Sequence, residues 1–151
     1  MGRVRIAGHG RSIDVPDGWE ARIFRRRGAA PVLHVGSFAL HDGDGDFGAG
    51  AAGRMRTDDM FAALVEYRVD SKIRPGHGLF AATRPPRPRA RDFSPLQLQV
   101  TRPGQLGCQL FFTARGAPCS LYLVVQPGRR HLSDLTAKLA GVLATLRFHG
   151  E

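Results

Sequence analysis

The feature that most restricts how this chain can fold is a pair of alternating apolar segments at residues 105–113 and 119–126. Apolar residues occupy every second position, which is the period of a β-strand with one buried face. If Thr113 pairs with Pro118 around a four-residue loop, the apolar positions of both segments fall on one face. The pairs in that register are Leu106 with Val125, Cys108 with Leu123, Leu110 with Leu121, and Phe112 with Cys119. A shift of one residue would mix apolar and polar side chains, so the sequence predicts this antiparallel hairpin.

The same register determines how far apart the two cysteines lie. Cys108 and Cys119 share the apolar face but are offset along it by four residues, which is about 13 Å at the rise of a β-strand. A disulfide requires Cα atoms within roughly 7 Å of each other. We therefore predict two unpaired, reduced cysteines in the core, whose apolar surroundings raise the thiol pKa and argue against a nucleophilic role.

The N-terminal part of the chain also favours strands. Residues 12–15 and 21–24 are predicted as partner strands on either side of a corner at residues 16–18, Pro-Asp-Gly. Proline fixes φ in such a corner and glycine accepts a positive φ. A third strand is predicted over residues 32–40, after an exposed turn at residues 25–28.

The middle of the chain is predicted to contain a loop, a helix and an isolated strand. Residues 41–53 are rich in glycine and aspartate and predict a flexible loop. Thr57 is a suitable N-cap for a helix that ends near Arg68. The apolar residues that recur there with helical spacing are Phe61, Leu64 and Val65. Residues 96–101 alternate strictly between apolar and polar types and predict a half-exposed strand.

The C-terminal region predicts a second helix and a short strand at residues 146–148. Ser133 is a suitable N-cap, and aliphatic residues then repeat along one helical face. That stripe consists of Leu135, Leu139, Val142, Leu143 and Leu146. The order of elements predicts an α+β fold in one domain over residues 1–151, with a mostly antiparallel sheet, hairpins and two main helices packed on it as an α/β/α sandwich.

The charge of the chain has two competing explanations. Basic residues outnumber acidic ones by 22 to 13, which gives a formal net charge of +9. Such an excess attracts nucleic acids and anionic membranes. However, twenty of the basic residues are arginine and two are lysine, a bias that a GC-rich coding sequence also produces. The chain begins without the apolar core of a signal peptide and has no apolar run long enough for a transmembrane segment, so a cytoplasmic location is expected.

The candidate binding surface lies in a Pro/Arg-rich loop at residues 83–95. Alternating proline removes backbone donors and favours a stiff, extended chain. We define the arginine strip as Arg84, Arg87, Arg89 and Arg91, and Arg25, Arg26 and Arg27 form a second candidate group that would add to it. A cationic strip suits an acidic protein, a phosphate backbone or lipid headgroups, and a solvated loop without a partner is the alternative.

Two glycine-rich segments have features of ligand-binding loops. The aspartates at positions 42, 44 and 46 have the spacing of a calcium loop, but Phe47 and Gly53 stand where an EF-hand requires glycine and glutamate. An exposed acidic turn is therefore predicted, without a metal site. Residues 48–53, GAGAAG, are similar to an anion-binding loop but lack a following lysine, so a flexible connector is predicted.

The sequence contains no recognisable catalytic motif. The six histidines are scattered without the spacing of zinc ligands, and no nucleophile or phosphate-binding motif is present. A small enzyme with its site on the acidic turn and His34 stays open, because catalytic residues need not form a linear motif. No cofactor is predicted.

Several segments together resemble the Mog1/PsbP-like fold. They are the IDVPDGW corner with Trp19, a mid-chain helix, a central meander that ends in SLYLVV, and a last helix whose tail reads TLRF. The family includes Ran-binding import factors, photosystem accessory proteins and chaperones of type VI secretion effectors, which share no catalytic set. The resemblance thus implies a binding or assembly role.

These observations lead to an expected function. We expect a non-enzymatic protein-interaction or accessory, chaperone-like module whose partner is another protein, bound through an exposed sheet face or the arginine strip. The alternative is binding of nucleic acid or another polyanion through the arginine-rich surface. A homodimer is compatible with either function.

Overall fold

The structure is a computed structural model that describes residues 2–149. It is an α+β protein built from two antiparallel sheets and two helices, and most of its regular structure is in strands. The strands are β1 Arg3–Gly8, β2 Arg11–Pro16, β3 Glu20–Phe24, β4 Val32–Gly36, β5 Met60–Glu66, β6 Leu106–Ala114, β7 Ala117–Val125 and β8 Arg147–Phe148. The helices are α1 Ala49–Arg54 and α2 Leu132–Leu143, and 3-10 turns occur at Gly78–Phe80, Ala90–Asp92 and Pro95–Gln97. No helix among the described residues is long and apolar enough to cross a membrane.

The larger sheet has five strands in the order β3-β4-β5-β7-β6, and every neighbouring pair is antiparallel. The predicted hairpin is β6 and β7, and its register is confirmed, with Thr113 opposite Pro118. The loop is tighter than predicted because Ala114 also pairs with Ala117. Arg115 and Gly116 then have φ values of 50° and 78°, as a two-residue turn between twisted strands requires.

The smaller sheet has three strands in the order β1-β2-β8. The predicted pairing of residues 12–15 with 21–24 is wrong, because β2 pairs with β1 and β8 whereas β3 pairs with β4. A turn in which Trp19 N–H donates to the carbonyl of Pro16 carries the chain from one sheet to the other instead of folding it back. β1 was not predicted from the sequence, and the predicted terminal strand is β8.

The predicted helix from Thr57 to Arg68 is wrong, because this segment contains β5. β5 is the central strand of the larger sheet, and both of its faces are buried. A strand buried on both faces has a continuous apolar sequence, in which residues with helical spacing occur by default. Burial on two sides therefore produced the apparent helical pattern.

The predicted strand at residues 96–101 is also wrong. Pro95–Gln97 forms a 3-10 turn in which the Ser94 hydroxyl accepts a hydrogen bond from Leu96 N–H. Leu96 is 93% exposed, so the alternation does not correspond to a buried face. The only bridge between this region and β6 among the described residues joins Ser94 to Gly107.

The segment predicted as a flexible connector, residues 48–53, is largely α1. Ala51 and Ala52 are buried against the larger sheet. A Cβ atom on Gly50 would lie 2.9 Å from the carboxylate of Asp44, so glycine here permits close packing. The third predicted strand is shorter than expected, since β4 ends at Gly36.

α2 agrees with the predicted second helix, although His131 occupies the N-cap position in place of Ser133. α2 and β2 pack on one face of the larger sheet, in a cluster with Leu33 and Leu64. α1 and the residues that connect β4 to α1 pack on the opposite face, in a cluster with Val32 and Phe61. Neighbouring residues of each strand thus contribute to different clusters.

Cys108 and Cys119 are buried and unpaired, as predicted. Burial raises the pKa of each thiol to about 12. We expect native protein at pH 8 to react with a thiol reagent at least ~100-fold more slowly than protein in denaturant. In the native protein the two thiols are protonated and the reagent cannot reach the buried sulfur atoms. Labelling of both cysteines only after unfolding would support their burial in the core, and rapid labelling of either cysteine in the native protein would contradict it.

Candidate functional site

The prolines of the Pro/Arg-rich loop lie beside α2. Pro85, Pro86 and Pro88 line a small crevice together with Ala140 and Leu143 of this helix, and Pro88 is buried. The Asp92 carboxylate accepts a hydrogen bond of 2.9 Å from the backbone N–H of Arg89, which closes the 3-10 turn Ala90–Asp92 within the loop. This turn lies against α2, so the loop is held to the helix there.

The arginine strip lies along this loop, and Arg87 also lines the crevice beside α2. All four of its arginines are exposed, and no salt bridge from any of them to a carboxylate is found within residues 2–149. Five arginines elsewhere do pair with aspartate or glutamate: Arg5, Arg11, Arg22, Arg26 and Arg54. Among residues 2–149, the strip thus presents four cations to solvent without a carboxylate partner.

The second arginine group lies in the turn between β3 and β4. Arg25 Nε donates to the carbonyl of Ala29 at 2.9 Å, and Arg26 forms an ion pair of 2.6 Å with Asp46. Arg27 is exposed. Within the described chain, no hydrogen bond, ion pair or shared cavity connects this group to the arginine strip. The two groups are therefore treated as separate surfaces.

The acidic turn is an anchored structure in which each aspartate pairs with an arginine. Asp42 pairs with Arg22 and Asp46 with Arg26. Asp44 is buried, in contrast to the predicted exposed turn, and its two carboxylate oxygens accept bonds of 2.6 and 3.0 Å from Arg54. These bonds hold the pKa of Asp44 below its usual value. No cluster of three or more His, Cys, Asp or Glu side chains suited to a metal occurs among residues 2–149.

His34 lies in the core of the protein. It is buried between the rings of Phe24 and Phe61, and its Nε2–H donates to the backbone carbonyl of Asp46 at 2.9 Å. Desolvation lowers its pKa, which favours the neutral ring. Because this bond goes to the backbone and not to a carboxylate, His34 and the aspartates do not form the acid–base arrangement that the enzyme hypothesis requires.

Sequence reasoning missed an aromatic cavity beside β6. Three rings, those of Tyr67, Phe80 and Phe111, lie with centroids 5.5 to 6.4 Å apart. They line a cavity of about 370 Å³, whose other lining residues are Lys72, Ile73, Arg74, His77, Gly78 and Leu79. The sequence signal was weak, because residues 67–80 contain glycine and proline but no regular period.

The fold defines this chain as an α+β protein of two antiparallel sheets and two helices. No family model matches the chain, and no curated protein or solved structure matches it. The surfaces and cavities of the chain itself therefore carry the functional argument.

Proposed function

We propose that this protein is a non-enzymatic interaction module whose arginine strip binds an acidic segment of a partner protein. The observation that carries the proposal is a loop that lies against α2 at the turn Ala90–Asp92, combined with four exposed arginines that have no carboxylate partner among residues 2–149. A loop whose backbone is ordered before binding loses less conformational freedom on binding. The guanidinium group also matches a carboxylate with two parallel hydrogen bonds.

An acidic protein suits the strip better than single-stranded nucleic acid. Binding of single strands relies on aromatic side chains that stack on the bases. The two aromatic residues that flank the strip, Phe80 and Phe93, are both buried, and none lies between Arg84 and Arg91. The strip therefore offers charge and hydrogen bonds without stacking surfaces.

A Mog1/PsbP-like α/β/α sandwich is part of the same proposal. Its support is the placement of α1 and α2 against opposite faces of the larger sheet, together with the IDVPDGW corner at the junction of the two sheets. Both faces of the larger sheet carry packed apolar clusters, so we assign the contact to the arginine strip instead of an open face of this sheet.

The proposal is tested with a fluorescently labelled peptide of glutamate and aspartate. We expect replacement of all four strip arginines by glutamine to weaken peptide binding by roughly tenfold or more, because each exposed ion pair contributes about 0.2–1 kcal/mol. Fluorescence anisotropy measures the dissociation constant, and a single-stranded and a duplex DNA of equal charge serve as competing ligands.

A matched variant separates the strip from the net charge. It replaces four exposed arginines outside the strip, Arg3, Arg56, Arg68 and Arg129, by glutamine. Both variants lower the net charge equally, and the matched variant is expected to bind the peptide within about twofold of the original chain. Equal losses in the two variants, or clearly tighter binding of either DNA than of the peptide, would contradict the proposal.

A further inference from the structure

We propose that the aromatic cavity beside β6 binds a small amphiphile with one carboxylate and an apolar body of about seven to nine carbons. This site is separate from the arginine strip and goes beyond the proposed function. Its volume of about 370 Å³ lies in the range of about 300–1,000 Å³ that is typical of ligand pockets. At about 30 Å³ per water molecule, it corresponds to roughly twelve waters, which such a ligand would displace.

The floor of the cavity is aromatic and firmly placed. Phe80 is buried, and its ring meets the ring of Phe111 edge to face, with centroids 5.6 Å apart and planes at 89°. The hydroxyl of Tyr67 is 3.0 Å from Ser120 Oγ on β7, so its polar end is already satisfied. The rings therefore present carbon surface to the cavity, which favours an apolar body.

The rim of the cavity is cationic. Lys72, Arg74 and His77 belong to its lining, and all three are exposed. No aspartate or glutamate is among the described lining residues. Asp70, the nearest acidic residue in sequence, accepts hydrogen bonds of 2.7 Å from the backbone N–H groups of Lys72 and Ile73. An anionic head group at the rim would thus meet two positively charged side chains and a histidine.

The wall of the cavity is pre-formed at both ends. At one end, Tyr67 N–H donates to the carbonyl of Pro118 at 2.8 Å. At the other, Thr113 Oγ1 accepts a bond of 2.9 Å from Gly76 N–H and donates to the carbonyl of Phe80 at 2.7 Å. Between these points Leu79, which lines the cavity, is 69% exposed. A bound alkyl chain would cover it.

Titration calorimetry with sodium octanoate tests the proposal on the full chain. We expect saturable binding with a sub-millimolar dissociation constant, whereas 1-octanol binds at least tenfold more weakly because it lacks the carboxylate. The double substitution Lys72→Gln/Arg74→Gln is expected to weaken octanoate binding by about tenfold and to leave octanol binding unchanged. The matched variant Arg56→Gln/Arg129→Gln removes the same charge elsewhere and is expected to bind octanoate like the original chain.

Nuclear Overhauser effects between octanoate methylenes and the ring protons of Phe80 and Phe111 would locate the ligand without any substitution. Absence of saturable octanoate binding, equal binding of octanol, or equal losses in the two charge variants would overturn the proposal. Self-association that Leu79→Lys abolishes, in a chain that does not bind octanoate, would also overturn it and assign the cavity to a second copy of this chain.

Discussion

Replacement of Gly48 by alanine is expected to lower the free energy of unfolding by about 3–5 kcal/mol, because two penalties combine at this position. Gly48 has a φ of 74°, a conformation in which a side chain is strained. A Cβ atom would also lie 2.2 Å from Cζ of Phe61, whose ring is fully buried in the larger sheet. Neither the start of α1 nor the ring can move away without disturbing the core. Urea denaturation measures the loss.

Gly28 provides the control for this substitution. Its φ is 75°, almost identical to that of Gly48, but a Cβ atom there would meet nothing within 4 Å. Gly28→Ala is therefore expected to cost only the strain of the backbone, about 1 kcal/mol. Similar losses in the two variants would contradict the close contact between Gly48 and Phe61.

Removal of Glu66 is the second substitution with a large expected effect. Arg11 on β2 is only 6% exposed, and its Nη2 donates to Glu66 Oε1 on β5 at 2.8 Å. The guanidinium also lies over the ring of Phe148, 5.7 Å from its centroid. Glu66→Ala leaves a buried cation without its counter-ion, and we expect a loss of about 3 kcal/mol in the free energy of unfolding.

A double-mutant cycle isolates this interaction. In an Arg11→Met background no buried cation remains, so Glu66→Ala is expected to cost less than about 1 kcal/mol. The exposed pair of Arg5 and Asp14 serves for comparison, since solvent screens a surface ion pair and Arg5→Met should destabilise the protein much less than Glu66→Ala. Equal costs of Glu66→Ala in the two backgrounds would show that the buried ion pair does not join the sheets.

Sequence patterns predicted the elements that are formed by residues close together in the chain. The hairpin of β6 and β7 follows from the alternation of apolar and polar residues on both sides of one turn. Its register, and therefore the separation of Cys108 from Cys119, could be predicted from the sequence. α2 was predictable because only one of its faces is buried. β5 was not, because burial of both faces removes the periodicity that distinguishes a strand from a helix.

The features that sequence patterns missed depend on residues far apart in the chain. Arg11 meets Glu66 across the two sheets, and the aromatic cavity joins Tyr67 to Phe111. The arginine strip was found as a sequence pattern, but the position of its loop beside α2 became visible only in the structure. No local spacing encodes such contacts, because they arise only when distant elements pack together.

The measurement that tests the proposed function most directly is an NMR titration that follows the Nε–H resonances of the arginines. On addition of an acidic peptide, we predict that the resonances of the arginine strip shift together and saturate with one dissociation constant. In the same chain, the resonances of the four exposed arginines outside the strip are predicted to remain nearly unchanged. These are Arg3, Arg56, Arg68 and Arg129. Small, unsaturated shifts spread over all exposed arginines, or the largest shifts at Arg25, Arg26 and Arg27, would contradict a binding site at the strip.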